Sequence, residues 1–402
     1  MPFELTARTK PGERLVALAE ALADEIASRA AEHDRDGSYP FESFAAVKRS
    51  GYFKAPIPEE LGGLGVLSAH DVLVASTRLA RGDASLTLGV NMHFAYLQNV
   101  VRIWRAAVVS GNERRAKALA GSLRQIAADG VVFASAISEP GQDITRPATT
   151  ARRTPAGWTV SGRKIFSTMS PAADVLYTSV TFVGDDGSER YGYAMVPRET
   201  PGVVVHNDWD ALGMRASGSH SVSFEDVRLP ASALRGGFPV GDSTAYIERN
   251  LDAGLFHAAA SLGVAESADT YVTRRLAASG SEPDARGWML AAENVVDLSA
   301  CRAVLSRAAS LIDDHFAAYP SSNDVTDLFA EAQAAKAFIS EAAVRIVDRA
   351  LALSGGAGYL NGSPLARAYR DVRAGAFMHP LGANRAYELL GRLALGHESS
   401  LH

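Results

Sequence analysis

A chain of 402 residues with 47% apolar side chains has enough material for two or three packed domains. Its net charge of −5 is spread without a basic block or an aromatic-interleaved basic patch, so neither nucleic acid nor anionic membrane is expected as a partner. Cys301 is the only cysteine, which leaves no intramolecular disulfide and no Cys/His metal set; with no apolar leader in MPFELTARTKPGERL, the expected location is the cytoplasm.

Residues 1–129 carry a helical pattern. Leu15, Leu18, Leu22 and Ile26 recur at three- and four-residue steps, and Pro11 suits the first turn of the helix they define. The stretch YFKAPIPEELGGLGV, residues 52–66, is punctuated by proline and glycine and reads as a structured connector, with the next helix starting near His70. Across 130–235 the period changes to two: Trp158, Val160, Gly162, Lys164 and Phe166 alternate, as do YGYAMVP and HSVSFEDVRLP, with turns at PAG, DDG and ASG. An all-β domain is expected there. Residues 236–402 return to helix, and Leu328, Ala335, Phe338, Ile339, Ala342, Ile346 and Leu353 form one stripe that Gly355 and Gly356 stop. Long amphipathic helices of this kind pack as a bundle. The expected class is α+β, with domains at 1–129, 130–235 and 236–402, an order that by itself names no reaction.

Within AGAFMHPLGANRAYE, residues 374–388, Pro380 fixes φ and removes a backbone donor. The helix is expected to end or bend there, leaving His379 at a chain turn where a side chain reaches a ligand.

Four collinear stretches carry a resemblance. They are IPEELGGLG with RLARGDASLTLGVNMH (57–93), ISEPG (137–141) with GWTVSGRKIFST (157–168), LGMRASGSHSVSFEDVRLP (212–230), and LSGGAGYL with ARAYRDVRAGAF (353–377). Over nearly its whole length the chain resembles the acyl-CoA dehydrogenase superfamily. The resemblance implies an N-terminal helical domain, a central β-barrel and a C-terminal four-helix bundle. It also implies a flavin, FAD or alternatively FMN, laid on strand ends that include Ile137, Ser138, Phe166, Ser167 and Thr168. An isoalloxazine needs an apolar wall and a few hydrogen bonds to its polar edge, which such strands supply. Read alone, these are also ordinary strand residues. Gly355 and Gly356 are a helix stop and, in the family, a place where a neighbouring subunit's backbone approaches the cofactor, which implies a homodimer or homotetramer. Arg275, in RRLAASG (274–280), stands in the family's cofactor-contacting arginine element.

The departures from the family narrow the expectation. Where the dehydrogenases carry a glutamate followed by Gly-Thr, this chain reads His379-Pro380-Leu381; PGQD (140–143) is shortened, the phenylalanine of the arginine element is missing, and Ala352 replaces a glutamine. The pattern is similar to the two-component flavin monooxygenases, among them dibenzothiophene monooxygenase and the indole and amino-sugar oxygenases. These accept reduced flavin from a separate NAD(P)H-dependent reductase, form a C4a-hydroperoxide with O₂ and pass one oxygen to a small molecule. That resemblance implies His379 and His93 as the catalytic histidines, titrating near neutrality, with Met92, Tyr96, Phe377 and Met378 in the substrate wall. Read without the resemblance, His93 better suits a satisfied core or helix-surface position. The expected substrate is apolar and aromatic. Two alternatives stay open: an acyl-CoA or acyl-carrier dehydrogenase with His379 or Glu248 as base, and a non-catalytic member of the fold. Glu248, in IERN, sits about a helical turn or more upstream of the position that role requires.

Overall fold

The computed structural model describes residues 3–141, 144–280, 282–317 and 324–397; Gln142 and Asp143 of PGQD lie outside them. Five helices open the chain: α1 (Lys10–Asp36), α2 (Phe41–Arg49), α3 (Ala69–Gly82), α4 (Ala84–Val109) and α5 (Glu113–Asp129). Thr9 starts α1 by accepting the Gly12 N–H at 3.1 Å, with Pro11 in the first turn. Asp83 separates α3 from α4 and caps the latter through the Leu86 N–H at 3.2 Å. α3 is buried on nearly every face because α1, α4 and the later helix Ala253–Ser279 all pack against it.

The central strands are β1 (Phe133–Ala136), β2 (Thr150–Thr154), β3 (Gly157–Ser167), β4 (Val175–Val183), β5 (Glu189–Pro197), β6 (Val203–Val205), β7 (His220–Leu229) and β8 (Leu234–Pro239). They form one sheet in the order β6-β7-β3-β2-β4-β5-β8, with β1 added in parallel to β4. The strands wrap one apolar core, including Trp158, Val160, Leu176, Val196 and Phe224, and among the described residues the end strands β6 and β8 do not pair. The second domain boundary, expected at 235, falls inside β8. Its sequence RGGFP lacks alternating apolar residues, and Gly236 and Gly237 take φ of +98° and +126°, so a strand of this kind leaves no period-two signal.

The last third comprises α6 (Thr244–Arg249), α7 (Ala253–Ser279), α8 (Ala285–Ala317), α9 (Val325–Ser354), α10 (Pro364–Asp371) and α11 (Ala383–Ala394). α7, α8 and α9 pack against one another, α11 against α9. Gly355, at φ +63°, terminates α9. Apart from Phe338, which is exposed, the apolar stripe of α9 joins Leu15, Leu22, Val72, Leu79 and Phe256 in a single core, so the N-terminal and C-terminal helices are one packing unit with the sheet set against its side. Fully burying each Leu, Ile or Phe in it stabilises the fold by roughly 1.5–3 kcal/mol.

Candidate functional site

A cleft of about 90 Å³ lies where the sheet meets the helices. Its strand wall is formed by Ile137 and Ser138 just beyond β1, Phe166 near the end of β3, and Tyr177 and Tyr193 on β4 and β5; its helical wall by Met92, Tyr96 and Asn99 of α4, Tyr246 and Arg249 of α6, His257 of α7, and His379. Tyr96, Tyr177, Tyr193 and Arg249 are shared with an adjoining cavity of about 560 Å³ that also meets Arg115 and Arg235.

The strand wall is held by a buried ion pair. Lys164 Nζ donates to Glu139 Oε1 at 2.6 Å, to Ser179 Oγ at 3.1 Å and to the Ile137 carbonyl at 3.3 Å, while the Thr149 N–H and hydroxyl reach the same carboxylate. Burial pulls Lys164 down to about 8, opposed by the Glu139 charge. The ISEPG turn is thereby clamped onto β3 and β4, and the Ile165 N–H donates to the Ser138 carbonyl at 2.9 Å. Beside it Phe166 has φ +57°, a conformation costing a bulky residue about 1–3 kcal/mol. That twist turns its ring outward, 60% exposed and edge-on to Trp209. An apolar ring displayed at a strand end suits a planar aromatic ligand. Ser167 and Thr168, expected beside it, are buried away from the cleft; the Thr168 hydroxyl is engaged with Ser219 Oγ at 2.9 Å.

On the opposite wall His379 Nε2 lies 2.8 Å from the Tyr246 hydroxyl, with the rings edge-on. Lys336, buried on α9, donates to the carbonyls of Met378 and Leu381 and so fixes the segment on both sides of His379. Burial and the Lys336 charge push His379 down to about 4, so the expectation of a ring titrating near neutrality is corrected: this imidazole is neutral at pH 7.

His93 is corrected as well. Its Nε2–H donates to the Phe53 carbonyl at 2.9 Å and its Nδ1 accepts the Phe133 N–H at 3.1 Å, which fixes the tautomer. The ring is fully buried between Phe53 and Phe133 and pushed down to about 4 by that burial. On a helix, positions 92, 96 and 99 share one face and position 93 turns away from it. His93 therefore ties α4 to its neighbours and presents no nitrogen to the cleft.

Of the expected wall residues, Met92 and Tyr96 line the cleft. Phe377 is 84% exposed outside it, and Met378 packs against the helical core. Arg275, Gly355 and Gly356 are exposed on the chain surface, away from this chain's cleft, and Glu248 is exposed beside a neighbouring cavity. Sequence reasoning missed His257, Tyr177, Tyr193, Tyr246 and Arg249 as wall residues. Tyr177 and Tyr193 stack at 4.8 Å, and the Arg249 guanidinium lies 4.7 Å over the Tyr193 ring and 3.4 Å from the Tyr177 hydroxyl. The only signal for His257 was a polar ring in the apolar run GLFHAAA.

Models of the N-terminal, middle and C-terminal domains of acyl-CoA dehydrogenases match residues 15–104, 134–227 and 243–384. The chain belongs to the acyl-CoA dehydrogenase family, a family of oxidoreductases. It is 33% identical to the amino sugar nitrososynthase RubN8 of Streptomyces rubradiris, across 98% of this chain and 92% of that one. The structure of KijD3 in complex with FMN and dTDP-3-amino-2,3,6-trideoxy-4-keto-3-methyl-D-glucose matches with a TM-score of 0.90 and 34% identity, over 99% of this chain and 97% of that one. FMN-bound TdsC from Paenibacillus sp. A11-2, at 24% identity and a TM-score of 0.82 over 96% of this chain and 98% of that one, shares the fold.

Proposed function

We propose that this protein is a flavin-dependent oxygenase that oxidises the amine nitrogen of a sugar carried on a nucleotide. The observation that carries it is the chemistry of the walls: the described residues lining the cleft include no Asp or Glu. Abstracting the α-proton of an acyl thioester needs a base, and a His379 held near 4 is a weak one. Glu248 is exposed outside the cleft, which removes support for it as the alternative base.

The wall fits a flavin: Phe166 offers an exposed ring, and Ser135 and Ser138 line the same cleft. Bound in its reduced form, the flavin supplies two electrons that let O₂ give one oxygen atom to nitrogen and the other to water. In balance, R–NH₂, O₂, two electrons and two protons give R–NHOH and H₂O. Phe166 and Ile137 orient the ring system, and Tyr96, Tyr177 and Tyr193 exclude water from the reacting nitrogen. The Tyr246 hydroxyl oxygen lies 2.8 Å from His379 Nε2, and the pair can pass a proton to a reacting oxygen or keep it in place.

The expected aromatic substrate gives way to an anionic, sugar-bearing one. Arg115, Arg235 and Arg249 meet the adjoining cavity, and none pairs with a carboxylate among the described residues. A diphosphate is the group such a set of guanidiniums binds. RubN8 is an amino sugar nitrososynthase and KijD3 was solved with a dTDP-linked amino sugar, which supports the same substrate class. A separate NAD(P)H-dependent flavin reductase supplies the reduced flavin, and the chain forms a homo-oligomer in which Arg275, Gly355 and Gly356 approach a neighbouring chain's cofactor. No described helix is long and apolar enough to cross a membrane.

The test is oxygen uptake with FMN, NADH, a flavin reductase and the dTDP-linked amino sugar. Substrate is expected to lower the fraction of oxygen released as H₂O₂. Anaerobic bleaching of bound oxidised flavin by an acyl-CoA thioester, with no effect of the amino sugar, would overturn the proposal.

A further inference from the structure

His257 is only 3% exposed, lines the cleft, and has no hydrogen-bond partner at either Nδ1 or Nε2. An imidazole is costly to bury in that state unless a ligand completes it. Burial holds it well below its ordinary value, with Lys336 acting in the same direction, so it presents one N–H and one lone pair.

The charges around it are all of one sign. Arg249 of α6 lines the cleft, and Lys336 of α9 stands behind His257 and His379. The tyrosines that face the cleft from α4, β4, β5 and α6, namely Tyr96, Tyr177, Tyr193 and Tyr246, are all pushed upward by burial and stay neutral. No Asp or Glu lies among the described lining residues. An ammonium group in this cleft would meet the Arg249 guanidinium, and below about pH 7 the Lys336 charge as well, with no counter-charge among the described lining residues, while a neutral amine would find an acceptor in His257.

Resting on the amine-oxidation reading above, we propose that the cleft takes its amine as the free base, with His257 accepting one amine N–H and leaving the nitrogen lone pair open to oxygen. The lone pair is the electron pair that forms the N–O bond, and an ammonium ion has none. The cleft thereby selects the reactive protonation state during binding, before oxygen transfer.

Calorimetric binding to the FMN-loaded protein from about pH 6 to about pH 9 tests this, with three probes: the dTDP-linked amino sugar, its counterpart with hydroxyl in place of the amine, and dTDP. Lys336, which burial holds near 7, repels an ammonium but not a hydroxyl, so the comparison is repeated in Lys336→Met, where that titration is gone. Relative to the hydroxyl probe, amine affinity is expected to rise about tenfold per pH unit until the amine itself is deprotonated. His257→Phe is expected to weaken both sugars about tenfold and to leave dTDP unchanged. A relative amine affinity that is flat or falls with pH would mean that the ammonium ion binds, and the inference is overturned. If neither sugar exceeds dTDP at any pH, the amino-sugar reading itself fails and the inference falls with it.

Discussion

His93 on α4 and His257 on α7 are both buried imidazoles on long helices beside the same cleft, yet they occupy opposite chemical situations. His93 has a backbone partner at each nitrogen, whereas His257 has none. Both are held below the ordinary histidine range by burial, so neither depth nor pKa separates them. What separates them is hydrogen-bond completion. A satisfied ring stabilises the fold, and an unsatisfied ring facing a cavity is a place for a ligand.

The largest effect should come from breaking the satisfied ring. His93→Ala leaves the Phe53 carbonyl and the Phe133 N–H without partners and opens a cavity, so a loss of about 3–5 kcal/mol in urea unfolding is expected. Flavin binding by the fraction that remains folded should change little. An unchanged urea midpoint would erase the contrast between the two histidines.

A pH series sharpens the contrast from below the cleft. Burial holds Lys336 near 7 in the folded protein, while an unfolded chain keeps it in the usual lysine range. Between those values the unfolded chain binds more protons, so stability rises with pH; below pH 7 both states are protonated and the dependence vanishes. From pH 7 to 9 the rise should reach up to about 1.4 kcal/mol per pH unit, and Lys336→Met should flatten it in thermal melts.

Smaller effects test the two walls. Phe166→Gly relieves the positive φ and should raise stability by up to about 1 kcal/mol while weakening flavin affinity in a fluorescence titration. Equal or tighter flavin binding would remove Phe166 from the platform. His257→Phe should leave stability within about 1 kcal/mol of the parent chain, since a polar ring without partners is replaced by an apolar one. A loss as large as that of His93→Ala would place His257 in the scaffold instead.

The strand wall was far more legible in the sequence than the helical wall. Period-two alternation through Trp158 to Phe166 marks β3, and the ISEPG and GRKIFST stretches bring Ile137, Ser138 and Phe166 to the cleft because Lys164 and Glu139 clamp them locally. The helical wall is assembled from positions far apart in sequence. Tyr246 reaches His379 across 133 residues, and Lys336 reaches Leu381 from another helix, so no local pattern encodes either contact. His93 was misjudged because its role came from the resemblance alone, and a position in sequence does not show whether a ring's nitrogens meet backbone or cavity. β8 was not read as a strand because Gly236 and Gly237 interrupt the side-chain alternation.

The most direct test of the central claim is mass spectrometry of the product formed from the dTDP-linked amino sugar under ¹⁸O₂ with FMN and a flavin reductase. One ¹⁸O bonded to the sugar nitrogen, in a hydroxylamine or its further oxidised form, is the predicted result. A product that has lost two hydrogens and carries no ¹⁸O would contradict it and return the chain to dehydrogenation.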